Sequence, residues 1–221
     1  MNRVFILIIC LCTAISSKGQ LRLGLEVLNG IEGFISSDIT SGIQSSTRFG
    51  GFFRYPVRTF FIESGIYVGA GQVDIKRLKL DETFQKANME WISFDIPFLL
   101  GHSFEIGKKE LNFLSVSAGF YAMWYSNGNA TLTLKDGQQD YSRIKIDNIY
   151  KKQRIDVNST SYTLNPLKRW NIGGRIETDY IYKRWMLRLI ASIGFKRYAT
   201  NYFEEIRPYS ISLGIGYYLR K

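Results

Sequence analysis

The chain has 221 residues, of which 45% are hydrophobic and 15% aromatic, with a formal net charge of +10. Two cysteines and one histidine exclude a disulfide scaffold and a zinc site of the usual four-ligand kind. No basic tract carries interleaved aromatics, so the positive balance does not point to nucleic acid; it suits anionic lipid head groups or lipopolysaccharide at a cell surface.

Met1 to Gly19 carries Arg3, then an apolar core from Val4 to Ile15, then small residues Ser17 and Gly19. This is the pattern of a secretory leader, with cleavage expected between Gly19 and Gln20. The core is too short for a transmembrane helix, which needs roughly 20 apolar residues. Cys10 and Cys12 both lie in it, so the processed chain would hold no cysteine, and Ile8 and Ile9 argue against lipoprotein processing at Cys10. Loss of Arg3 and Lys18 would take the formal charge from +10 to +8. The expected organisation is a leader at 1–19 and one domain at 20–221.

Beyond the leader, apolar residues alternate with polar or small ones at 21–28, 45–55, 59–73, 89–104, 111–125, 168–182, 185–198 and 208–220. Period-two alternation predicts strands with one apolar face. The fourth sets Ile92, Phe94, Ile96, Phe98 and Leu100 against Ser93, Asp95 and Gly101; the fifth sets Leu114, Val116, Phe120 and Trp124 against Ser115, Ser117, Gly119 and Tyr121. The seventh opposes Trp185, Leu187, Leu189 and Ile193 to Arg188, Ser192, Gly194 and Lys196.

The gaps sort by length. Pro56-Val57-Arg58, Glu105 to Glu110 (with Gly107 as the turn residue) and Lys183-Arg184 are tight; 29–44, 74–88, 126–167 and 199–207 are long. Short turns on one side and long loops on the other are the layout of an all-β, eight-stranded antiparallel up-and-down transmembrane β-barrel. A secreted β-sandwich gives no reason for that sorting. An even strand count puts both termini on the short-turn side, the periplasm of an outer-membrane protein. Trp124 and Trp170 would then mark the outer interface, with Tyr55, Phe104, Tyr182, Trp185 and Tyr217 at the inner one. Trp91 is a misfit turned inward, which calls for a bulge or for packing in the barrel mouth. Pro97 removes a ladder donor where a closed sheet has no edge, and so predicts a bulge beside Asp95.

In the longest loop, Ala130 to Lys135, Asp136-Gly137 and a stretch to Ile146 predict a hairpin reaching beyond the membrane. The 126–167 segment holds Lys135, Arg143, Lys145, Lys151, Lys152 and Arg154 against Asp136, Asp140, Asp147 and Asp156, with Tyr141, Tyr150 and Tyr162 interleaved. Such a surface suits an anionic glycan or a partner protein; a solvated hairpin that merely caps the barrel is the alternative.

By parity the inward face collects Arg22, Glu26, Arg48, Arg54, Glu63, Asp95, Arg175, Glu177, Asp179, Arg188 and Lys196. Near-balanced charges in a narrow lumen predict ion pairing that fills the barrel; an ion path or an acid–base site is the competing reading. Glu177 and Asp179 share a face, but nothing places a nucleophile beside them. A lipid-modifying hydrolase of the outer leaflet would need His and Ser together on the outer side. His102 and Ser103 occupy adjacent positions that face opposite ways, at the inner end of their strand. No catalytic, metal or cofactor residue is expected.

In the last strand Ser212, Gly214, Tyr217 and Leu219 fit the pattern polar, any, Gly, any, any, aromatic, any, hydrophobic. It resembles the sorting signal of bacterial outer-membrane barrels, which implies handling by the barrel assembly machinery. The strand Trp91-Ile-Ser-Phe-Asp-Ile-Pro-Phe-Leu-Leu-Gly101 is similar to the aromatic–acidic–Ile-Pro–aliphatic strand of the PorT-like outer-membrane β-barrel proteins of Bacteroidetes. Those proteins commonly carry Leu-Glu where this chain has Phe94-Asp95. In motif the resemblance covers this strand and the last one; in layout it covers the processed chain. It implies an integral outer-membrane barrel of eight antiparallel strands. The founding member is linked to protein secretion, a role nothing in this chain identifies. The expectation is therefore a non-conducting barrel with a structural or interaction role through its extracellular loops. The alternatives are an outer-leaflet hydrolase and a secreted β-barrel binding protein.

Overall fold

The computed structural model describes residues 21–35, 40–41, 44–76, 84–106, 112–134, 143–157, 160–164, 166–195 and 207–220. The expected leader at 1–19, the turn around Gly107 and Lys196 lie outside the described residues.

The strands are β1 (Arg22–Ile35), β2 (Thr40–Ser41), β3 (Gln44–Val57), β4 (Phe60–Lys76), β5 (Phe84–Glu105), β6 (Asn112–Leu134), β7 (Arg143–Ile146), β8 (Gln153–Val157), β9 (Thr160–Leu164), β10 (Trp170–Tyr182), β11 (Trp185–Gly194) and β12 (Arg207–Arg220). Eight of them close a ring, β1-β3-β4-β5-β6-β10-β11-β12 and back to β1, with every neighbour antiparallel. The expected eight-stranded antiparallel barrel is the fold. Along β11 exposed and buried residues alternate without a break. Phe49, Ile66, Phe98, Phe120, Leu189 and Ile215 all point outward and are more than half exposed. On the strands of this ring, Glu26, Arg48, Arg54, Glu63, Asp95, Arg175, Glu177, Asp179 and Arg188 point inward. A soluble barrel would reverse these faces; a bilayer demands this arrangement.

At the short-turn end, two-residue turns join β3 to β4 and β10 to β11. Arg58 (φ 59°) and Lys183 (φ 55°) open them in the left-handed region, which matches the twist of the flanking strands. Pro56 and Val57 are still paired, with Phe61 and Phe60, so the turn is Arg58-Thr59. The Trp185 and Tyr217 rings meet at 5.0 Å near this end, and Trp124 and Trp170 pair at the other end of β10.

The inward bulge expected beside Asp95 is absent. Ser64↔Phe98 and Tyr67↔Asp95 keep one register across Pro97. Pro97 merely drops ladder pairs, while its carbonyl accepts a 2.6 Å hydrogen bond from Ser64 Oγ. The bulge sits elsewhere, between Ile92 and Ser93, where Ile92 pairs Asn127 but Ser93 pairs Tyr125. Ser126 is the extra residue. Below it the buried positions of β6 are odd (Tyr121, Met123, Tyr125); above it they are even (Gly128, Ala130, Leu132).

At that level the faces exchange polarity. Outward residues change from Val68, Phe94 and Trp124 to Gln72, Glu90 and Asn129, while the interior changes from charge to Val73, Ala87, Met89, Trp91, Met123 and Leu132. β4, β5 and β6 thus leave the apolar belt and continue as a lobe with its own core, which Ile146, Ile149 and Ile155 help close. The expected hairpin forms its wall, with Ala130 opposite Ile146. Trp91 packs in this mouth, 6.1 Å from both Phe34 and Tyr125.

Candidate functional site

Ten acidic or basic side chains are buried inside the barrel among the described residues: Glu26, Glu32, Arg48, Arg54, Glu63, Asp95, Arg175, Glu177, Asp179 and Arg188. Alternation brings them there, since charges at every second position of a strand share one face. Four guanidinium groups face six carboxylates, an acid excess where parity in the sequence gave six cations and five anions. Arg22 is only half-buried, at the open rim.

The tier nearer the short turns centres on Arg188. Its Nε donates to Asp179 Oδ1 at 2.7 Å and its Nη1 to Glu26 Oε2 at 3.0 Å. Glu63 lies 2.7 Å and Glu177 3.1 Å from the same guanidinium. Arg54 joins Glu63 at 2.6 Å, pairs with Asp179, and donates to Ser115 Oγ at 3.2 Å. Phe61 lies 3.9 Å from the Arg54 guanidinium, ring centroid to Cζ, and Phe52 lies 5.1 Å from that of Arg188. With Tyr218, Met186 and Ile181 they close this end of the lumen.

The second tier belongs to Arg175 and Arg48. Arg175 binds Asp95 and donates to Ser192 Oγ at 3.2 Å; Arg48 binds Glu32 and donates to Ser210 Oγ at 3.3 Å. Asp95 also lies 3.6 Å from Arg48, and Glu177 lies 3.8 Å from Arg175, so the tiers are continuous. Glu32 is the member parity missed. The sequence ends the first alternating run at 28 and puts 29–44 in a long gap, but β1 runs on to Ile35. The face Glu26, Leu28, Gly30, Glu32 was the available signal.

Between the apolar groups at its two ends this network is buried, ion-paired and crowded. Its guanidinium groups are taken up by carboxylates and by the Ser115, Ser192 and Ser210 hydroxyls, an arrangement that suits cross-linking strands better than moving a substrate. His102 lies on the outer face, against Phe60 at 5.2 Å and Phe104 at 4.5 Å. Ser103 turns inward to Ser115, 2.9 Å between hydroxyls. The two do not converge.

Of the residues matching a sorting signal, Ser212 and Gly214 face inward while Tyr217 and Leu219 face outward. A Cβ on Gly214 would stand 2.3 Å from Leu28 and 2.8 Å from the Glu26 carboxylate, so only glycine leaves room for that acid.

Over the mouth, Ile149 N donates to Gly128 O at 2.8 Å and Leu167 N to Ile149 O at 3.0 Å. Arg169 donates to Ser126 O at 2.9 Å and lies over the Tyr150 ring. That ring stacks on Tyr125 at 6.1 Å, so Tyr150 is part of the mouth rather than of a free polar surface. Lys145, Lys151, Lys152 and Arg154 are exposed. Arg154 and Ser161 hold Asp156, whose carboxyl the Ser161 hydrogen bond draws below its usual range. Lys135, Asp136, Asp140 and Tyr141 lie outside the described residues, as do the side chains of Arg143 and Tyr162.

No family model and no curated protein matches the chain. Solved structures to which it is similar include Neisserial surface protein A, at 11% identity and TM-score 0.40, covering 88% of this chain and 96% of that one. Another is the attachment invasion locus protein Ail of Yersinia pestis, at 9% identity and TM-score 0.38, covering 91% and 99%. The N-terminal β-barrel domain of Pseudomonas aeruginosa OprF aligns at 13% identity and TM-score 0.25, covering 90% and 100%. At these identities the likeness extends to the fold and no further; the ring of eight strands rests on its own ladder.

Proposed function

We propose that the chain is an integral outer-membrane β-barrel that acts as a structural or interaction protein, with both termini in the periplasm and the lobe outside. The observation that carries this reading is the exchange of polarity between faces at one level of β4, β5 and β6. An apolar belt facing out over a charged interior suits lipid, and a polar wall over an apolar core suits water. The paired, sealed lumen supports a barrel that does not conduct and is not an enzyme. The terminal-strand pattern supports delivery by the barrel assembly machinery. The Asp95-Ile96-Pro97 strand supports kinship with the PorT-like proteins of Bacteroidetes. Outer-membrane lipid and lipopolysaccharide would surround the belt, and the exposed cations of 145–154 are where an anionic glycan or a protein would meet the lobe. Fractionation tests the reading: the protein should sediment with outer membranes and migrate faster on gels before heating than after. Recovery in the soluble periplasm would overturn it in favour of a secreted binder.

A further inference from the structure

The barrel's outer wall is dented where the faces exchange polarity. An open hollow of about 500 Å³ crosses β3 to β6; Ser45, Thr47, Gln72, Glu90, Asn127 and Asn129 give it polar groups, and Ala70 and Ile92 an apolar part. Ladder pairing sets two of its rows side by side: Thr47–Ala70–Ile92–Asn127 and Gln72–Glu90–Asn129. Gly71, Trp91 and Gly128 run between them, and their side positions turn inward. One residue pair nearer the short turns, the same strands present Phe49, Val68, Phe94 and Trp124, the rim of the apolar belt. A polar hollow therefore opens directly above an apolar wall.

Its polar groups are neutral apart from one carboxylate. Among the described residues that line it, Glu90 is the one charged side chain, and none is cationic. A phosphate head group would find no counter-charge there. The two asparagines are oriented: Asn127 Oδ1 accepts from Gly128 N at 2.9 Å and Asn129 Oδ1 from Asn148 N at 3.2 Å. With each carbonyl held by backbone, the amide NH2 groups are the donors these two residues still have to offer, beside the hydroxyl groups of Ser45 and Thr47 and the acceptor Glu90. Mixed donors and acceptors without a cation match vicinal sugar hydroxyls.

We propose that this hollow binds the sugar head group of an outer-leaflet glycolipid, whose acyl chains lie on the Phe49–Val68–Phe94–Trp124 row. The inference rests on the membrane reading above. The continuity of hollow and wall selects a lipid-borne sugar over a free one. Every described lining residue belongs to a strand of the barrel ladder.

The test is native mass spectrometry of the detergent-solubilised full chain with three probes: monoglucosyl diacylglycerol, phosphatidylglycerol and maltose. Retention of the glucosyl lipid should exceed that of either other probe by at least about fivefold, the worth of one net hydrogen bond. Asn127→Asp with Asn129→Asp keeps both backbone contacts and removes the donors, and should lower glucosyl-lipid retention by at least about the same factor. Thr131→Asp, farther along the outward face, should not. Equal retention of phosphatidylglycerol would reduce the site to ordinary annular lipid, and equal binding of maltose would make it a free-glycan site; either overturns the proposal. So does unchanged retention in the double variant. Heat-modifiable mobility of each variant separates these outcomes from loss of the barrel, and fractionation of the wild type separates them from failure of the membrane reading.

Discussion

Arg188 reaches carboxylates on three strands, Glu177 and Asp179 on β10, Glu26 on β1 and Glu63 on β4. A buried charge without a partner is far more damaging than a pair is helpful. Arg188→Ala should therefore cost about 3–5 kcal/mol, because four acids lose their shared cation. Glu177→Gln removes one member of an acid excess and should cost clearly less, because Arg188 keeps Glu26, Glu63 and Asp179. Urea unfolding of the barrel in detergent compares the two; equal losses would mean that Arg188 does not organise the network. Much of this was legible beforehand, because Arg175, Glu177 and Asp179 alternate in plain view and a period-two pattern has only two phases. What was hidden is which acid meets which arginine. Arg54 and Asp179 lie 125 positions apart in the chain, and barrel closure alone brings them together.

At the level of strands, the sequence placed the membrane segments well and their outer ends poorly. β5 begins at Phe84 and β6 ends at Leu134, well beyond the alternating runs at 89–104 and 111–125. Alternation persists there, but its sense reverses, and Ser126 shifts the phase of β6 besides. Face-reading by one fixed rule stops where the solvent changes from lipid to water. Pro97 misled for a different reason: a missing donor was met by dropped ladder pairs and by Ser64 rather than by an inserted residue. The bulge at Ser126 carries its own prediction. Removing Ser126 puts Asn127 in the outward position that follows Tyr125, and Gly128, Ala130 and Leu132 stay inward. The deletion should leave the lobe folded, with limited proteolysis of the 84–167 region unchanged. Rapid cleavage there would show that the kink itself, or the Arg169 contact with Ser126 O, is required to seat the lobe.

The whole molecule stacks three interiors along one axis: an apolar seal of Phe52, Met186 and Tyr218, a charged middle, and an aromatic and aliphatic lobe over the mouth. The ion pairs between the two apolar ends are buried, which strengthens each attraction. An ion would have to break guanidinium–carboxylate contacts to pass, which supports the proposed non-conducting barrel. Trimming residues 130–163 to a short turn separates these roles. It removes Ala130, Leu132, Ile146, Ile149 and Ile155 from the lobe core and uncovers Met89, Trp91 and Tyr125. The belt strands and both tiers of charge stay in place, so the trimmed barrel should still assemble and show heat-modifiable mobility. Its newly open mouth should bind a hydrophobic dye that the intact chain does not. In planar bilayers neither form should carry a steady current, because the charged middle remains filled. A stable channel in the trimmed form alone would mean that the lobe is the gate and the ionic middle is permeable. A channel in both would overturn the plugged-barrel reading and make the surplus carboxylates the lining of a cation path.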